Sequence, residues 1–288
     1  MKTLRSEKEM FNLILSIAIE DQRVRAVYMN GSRANPNVKK DIFQDYDIVY
    51  VVTETASFIN DEKWICVFGD LLMMQQPDRN DKSIGIEVNI DKSYGYLMLF
   101  KDGNRIDLRI ESIHSIYDTY GKDKLTIPLL DKDNILPIIG APTDSDYYVK
   151  APTEAEYLSC CNDFWWCLQN VAKGIWRDEL PYAKQMFELV IRARLDQMVS
   201  WWIGMNNNFQ VSSGKMGKYF KNYLQENYWN MYKQTYSDSN YENMWDSVFV
   251  ACELFRSLAI EVADKFSYNY PFEDDKAMHK YLKRVKEL

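Results

Sequence analysis

The spacing of apolar residues changes period several times along the first half of the chain. Ser6 and Glu9 make a capping-box pattern, and Met10, Phe11, Ile14, Leu15 and Ala18 then fall on one helical face. Period-two alternation follows at Val24, Ala26 and Tyr28, predicting a strand with these three on one face that breaks at Asn30-Gly31-Ser32. The apolar run from Ile48 to Val52 predicts a second strand, with Asp45 and Asp47 at its entrance. Glu62 to Phe68 reads as a short helix, Leu71 to Met74 as a strand, and Pro77 to Ser83 as a polar loop. Tyr94 to Phe100 and Arg105 to Ile110 then read as a hairpin turning on Asp102-Gly103.

Beyond this the pattern becomes helical. Pro128, Pro137 and Pro142, with the loop from Gly140 to Lys150, mark a composition shift and predict domains of residues 1–148 and 149–288. Thr153 and Glu156 form another capping box, opening a helix to about Ala172. A second helix is predicted from Asp178 to about Ile203 with Pro181 in its first turn, where proline is tolerated. Lys215 to Glu226 and Ser239 to Lys265 follow as helices, and a short charged one closes the chain from Asp274. The expected architecture is α+β: a sheet with flanking helices, then a helical domain.

Composition narrows the class of protein. A chain of 288 residues with 47% hydrophobic and 14% aromatic content has enough apolar material for a real core. Its net charge of −7 argues against a general grip on nucleic acid and favours cationic small molecules. Five scattered cysteines give no disulfide framework and suit a reducing compartment. Charges run through the first twenty residues and no apolar run approaches bilayer length, so neither a signal peptide nor a membrane span is expected. The expected location is the cytoplasm.

The candidate chemistry lies between residues 24 and 52. Gly31 allows a sharp backbone turn and Ser32 adds a hydroxyl, equipment that can cradle phosphates. Two residues apart on a strand, Asp45 and Asp47 share a face and repel each other unless a cation sits between them. Oxygen-only ligands suit Mg²⁺. In the hairpin, Ile106, Leu108 and Ile110 face one way and Arg105, Asp107 and Arg109 the other. Asp107 is therefore either part of a self-neutralising surface or a third carboxylate aimed at the same site. No Gly-x₄-Gly-Lys-Ser/Thr or Gly-x-Gly-x-x-Gly string is present, and His114 and His279 are the only histidines. Common ATPase and dinucleotide folds, His-based triads and typical zinc sites lose support accordingly.

Gly31-Ser32, Asp45-x-Asp47 and the later strand aspartate Asp107 resemble the nucleotidyltransferase superfamily that includes DNA polymerase β. The longer strings YMNGSRANPN, DIFQDYDIVYVV, WRDELPYAK and SSGKMGKYFK resemble the aminoglycoside 6-adenylyltransferases, over essentially the whole chain. The resemblance implies a nucleotidyltransferase-type mixed sheet followed by a helical bundle that completes the cleft. It implies transfer of AMP from ATP to the 6-hydroxyl of streptomycin. Gly31, Ser32 and Arg33 would then hold the triphosphate, with Lys215 and Lys218 reaching the phosphates. Asp45, Asp47 and Asp107 would bind two Mg²⁺ ions, Asp107 also acting as general base. Streptomycin carries guanidinium groups, which call for carboxylates and aromatic faces. Trp165, Trp166, Trp176, Asp178, Glu179 and Tyr182 supply that chemistry and are the expected antibiotic pocket. The expected partners are ATP and the antibiotic, with a monomeric protein. An RNA or protein acceptor, or a catalytically silent nucleotide-binding module, is the alternative.

Overall fold

The computed structural model describes residues 3–288, in two compact units that separate at Asp146 and Tyr147. In the first unit one mixed sheet contains β1 (Val24–Asn30), β2 (Tyr46–Val52), β3 (Leu71–Gln75), β4 (Ser93–Phe100), β5 (Arg105–Ser112) and β6 (Ile127–Asp131). Their order is β3-β4-β5-β2-β1-β6, and only β2 and β5 run parallel. The parallel pairing sets Asp47 level with Asp107.

Helix α1 (Glu7–Glu20) forms both bonds of the expected capping box and buries Met10, Ile14 and Ala18. These join Ile48, Tyr50, Met98, Ile106 and Leu108 in the main core on one sheet face. Burial of Met10 and of Ile14 is worth about 1.5–3 kcal/mol each, so α1 is held chiefly by this face. Short helices α2 (Ala56–Asn60), α3 (Pro77–Ser83) and α4 (Ile116–Thr119) complete the unit. The opposite sheet face carries a smaller cluster in which Ala26, Tyr28, Val49 and Val51 meet Ile116 and Tyr120. Asp47 and Asp107 belong to that second face, since they alternate with Ile48 and Leu108 of the main core.

Three local readings change. A register shift between Val24 and Ala26 sends Val24 to the main core while Ala26 and Tyr28 face the smaller cluster. Pro77 opens a helix rather than a loop, because the first helical position needs no N–H donor. Pro128 lies inside β6, on the sheet edge, where proline is tolerated.

The second unit is helical: α5 (Glu154–Trp176), α6 (Leu180–Gln185), a wide π turn (Met186–Ile191), α7 (Arg192–Asn206), α8 (Phe220–Tyr223), α9 (Glu226–Gln234), α10 (Tyr241–Phe266) and α11 (Phe272–Lys286). Helix α11 packs on α5, and α10 on α7 and α9. At the centre Phe164 and Phe255 stack at 3.8 Å, with Trp165 edge-on to Phe164 at 5.0 Å. The helix expected from Lys215 to Glu226 is broken into a short turn, α8 and the start of α9. Gly214, Met216 and Gly217 all have φ between 56° and 75°, which an ordinary helix does not accept. All five cysteines are free thiols. Among the described residues no helix is long and apolar enough to cross a membrane.

Candidate active site

Strand β1 ends at Asn30 and Gly31 turns the chain with φ +77°. A Cβ built on Gly31 would lie 2.0 Å from Asp47 Oδ2, so the Asp47 carboxylate rests directly on the glycine backbone. Only glycine permits both this φ and this approach. Ser32 begins a single tight turn, and the Gln44 side-chain amide faces its carbonyl at 3.4 Å. The following loop is stapled by Asp144, a buried carboxylate that accepts from the side chains of Asn35 and Asn37. Sequence reading missed Asp144 because it lies in the stretch taken for a linker; no local signal marks it.

Around Asp47 the charges are unbalanced. Burial, then the carboxylates of Asp107 and Asp45, push the Asp47 carboxyl up to about 6. Asp45 is pushed upward by burial against the pull of Arg105. The cation bonded to the group is Arg105, which forks Asp107, Nε to Oδ1 and Nη2 to Oδ2, both at 2.7 Å, with its Nη1 3.5 Å from Asp45; Arg33 also draws Asp45 and Asp47 downward. Among the described residues no three His, Cys, Asp or Glu side chains form a ready metal cage. Both Asp107 oxygens are turned to the Arg105 guanidinium. The donor chemistry nonetheless fits a hard cation: oxygen ligands, close together and short of positive charge. Arg109, also on β5, is exposed and donates to Ser93 Oγ at 2.7 Å, away from Asp107.

Arg33 differs from expectation. Its side chain is only 5% exposed and faces inward. Nε donates to the carbonyls of Gln44 (3.2 Å) and Asp45 (3.1 Å), and Nη2 to Gln44 at 2.8 Å. Nη1 reaches Glu7 at 3.4 Å, and the guanidinium lies 3.8 Å from the Tyr46 ring centroid. Its donors are thus engaged inside the unit, facing away from solvent.

In the helical unit Lys215 and Lys218 are both exposed on the glycine-rich turn. Trp165 is 1% exposed and belongs to the core, so it presents no face to a ligand. Trp166 and Trp176 are 65% and 60% exposed. Trp176, Asp178, Glu179 and Tyr182 gather around the turn between α5 and α6, where Tyr241 donates to Asp178 at 2.8 Å. Trp166 stands ten residues earlier on α5, about 15 Å along the helix axis.

A mixed sheet whose first strand ends in a Gly-Ser turn under a strand aspartate, with a second aspartate level on the neighbouring strand, defines the nucleotidyltransferase class. The family model described as streptomycin adenylyltransferase matches residues 4–285, and the chain belongs to that family. An aminoglycoside 6-adenylyltransferase of Campylobacter jejuni is 38% identical over 284 residues, covering 99% of this chain and 97% of its own. One from Staphylococcus aureus is 37% identical over 269 residues, 93% of this chain and 94% of its own. A crystal structure of an aminoglycoside 6-adenyltransferase from Bacillus subtilis aligns at 33% identity, covering 98% and 99% of the two chains, with a TM-score of 0.48.

Proposed function

We propose that this protein transfers AMP from ATP to the 6-hydroxyl of streptomycin, releasing pyrophosphate and abolishing the drug's action. Its relatives' named activity supports aminoglycoside adenylylation. The observation that carries the chemistry is the Asp47 carboxylate seated on the Gly31 turn, level with Asp107 and crowded by Asp45.

Asp45 and Asp47 would hold Mg²⁺, two ions when Asp107 joins them. Bound Mg²⁺ neutralises charge on the triphosphate and on the leaving pyrophosphate. The Gly31 turn, having no Cβ, lets the Asp47 carboxylate sit against the backbone, and the backbone N–H groups of the turn and the Ser32 hydroxyl would donate to the triphosphate. Asp107 releases at least one oxygen from Arg105 and accepts the proton of the attacking hydroxyl. The new bond joins the 6-oxygen to the α-phosphorus as the bond to pyrophosphate breaks. Lys215 and Lys218 are assigned to the phosphates. Trp166, Trp176, Tyr182, Asp178 and Glu179 are assigned to the streptomycin guanidinium groups. A monomer in the cytoplasm, where ATP is abundant, completes the reading.

Mass spectrometry of streptomycin incubated with the protein, ATP and Mg²⁺ tests it. A gain of one AMP, placed on the 6-oxygen by NMR, is expected. An unmodified drug, with AMP appearing on RNA or on a protein side chain instead, would overturn it.

A further inference from the structure

We propose that Arg33 is a positioning residue for the divalent cation, acting through the main chain of the Gln44–Asp45 segment. The proposal rests on Asp45 and Asp47 being the cation's ligands. Asp45 comes just before β2, whose ladder begins at Tyr46, so the sheet does not fix its backbone. Arg33 does so instead. Its guanidinium takes the carbonyls of both Gln44 and Asp45. The Tyr46 ring covers the guanidinium from one side.

The tie extends outward. Glu7, at the start of α1, accepts from Arg33 at 3.4 Å and from Lys40 at 2.9 Å. The first turn of α1, the Gly31 turn and the approach to β2 are thereby joined at one planar cation. Two features distinguish this from an ordinary buried arginine. Its principal acceptors are main-chain carbonyls, one of them on a proposed ligand. It also follows directly on Gly31-Ser32, so one three-residue segment supports Asp47 from below through Gly31 and holds Asp45 from behind through Arg33. The spacing between the two carboxylates is then set by a fork whose shape lysine cannot reproduce.

The test is Mn²⁺ binding to the nucleotide-free protein, followed by electron paramagnetic resonance, on wild type, Arg33→Gln, Arg33→Lys and Arg5→Ala. Arg5 is a control of similar build in the same unit. It donates to the Phe68 carbonyl and forks Asp102 beside the β4–β5 turn, with no bond to the carboxylate group. Both Arg33 variants should weaken Mn²⁺ binding about tenfold or more, and Lys should not rescue although it keeps the charge. Arg5→Ala should melt lower yet bind Mn²⁺ as wild type does. Wild-type affinity in Arg33→Lys, or an equal loss in Arg5→Ala, would overturn the assignment. Arg33→Lys, the milder change, decides the matter should Arg33→Gln fail to fold. Absence of Mn²⁺ binding by the wild type would instead strike at the metal reading itself, and with it this one.

Discussion

Asp47 is held in a state that ordinary folding would avoid. Its carboxyl is pushed up to about 6, above the roughly 3.9 of a free aspartate, so the folded chain binds its proton more readily than the unfolded chain. Stability therefore falls as pH rises between about 4 and 6, by up to about 3 kcal/mol. Asp47→Asn should flatten that window, raise the melting temperature at pH 7.5 and nearly abolish AMP transfer; melts across pH beside single-turnover kinetics check all three. Millimolar Mg²⁺ should raise the melting temperature of the wild type and not of the variant. A variant with undiminished turnover would remove Asp47 from the site. Gly31→Ala should fail for a steric reason, since the added methyl must displace the Asp47 carboxylate from 2.0 Å and adopt φ +77°. A loss of about 1–3 kcal/mol from the backbone alone is expected in denaturant unfolding, with turnover lost. The juxtaposition of these two residues was legible in sequence because each stands at the end of a predicted strand. The inward bonding of Arg33 was not, because a basic residue beside a phosphate-type turn shows its hydrogen-bond partners only in the folded chain.

Elements were legible where one periodicity ran uninterrupted, as in α1, α5 and α10. They were lost where a single residue changed the rule. Pro128 reads as a boundary, yet β6 is an edge strand beside β1, irregularly paired at Pro128, where a missing N–H is tolerated. Gly217 is small enough to pass unnoticed in a polar helical pattern, yet its positive φ, with that of Met216, breaks it. The β4–β5 hairpin was read correctly, and its turn is tied down by Asp102. Burial raises the Asp102 carboxyl, but hydrogen bonds from Arg5 and Asn104 outweigh it and leave it at about 2. A lowered carboxyl stabilises the fold above its unfolded pKa, and the benefit disappears as pH falls from about 4 to about 2. Asp102→Asn should cost about 2 kcal/mol at pH 7 and almost nothing at pH 2, measured by urea unfolding at the two pH values. Equal losses at both would show that Asp102 acts through packing rather than charge.

For the molecule as a whole, the composition shift lies close to where the two units separate, whereas the exposed and buried tryptophans of the helical unit could not be sorted by sequence. Trp165 and Trp166 are adjacent and chemically identical, and only helical phase decides that one is core and the other exposed. The net charge of −7 has its own consequence. Streptomycin, a cation, should bind more tightly at low ionic strength, its Kd rising with added salt in calorimetric titrations. RNA should bind weakly at physiological salt. Tight RNA binding that falls steeply with salt would favour a nucleic-acid acceptor.

The wide turn at Met186–Ile191 also bears on which lengths of chain the fold accepts. Buried positions there advance as Ala183, Phe187, Ile191 and Leu195, three steps of four. In a regular α-helix such steps would drift by roughly 120° around the axis. The wide turn absorbs the drift, and so it houses one surplus residue. Removing Leu189, which is 68% exposed, should leave a regular helix with both flanks still facing the core. Removing the similarly exposed Trp166 from α5 has no surplus to draw on and rotates everything beyond it by about 100°. Thermal melts of the two single-residue deletions should therefore separate sharply, the first close to the full-length protein and the second without a cooperative transition.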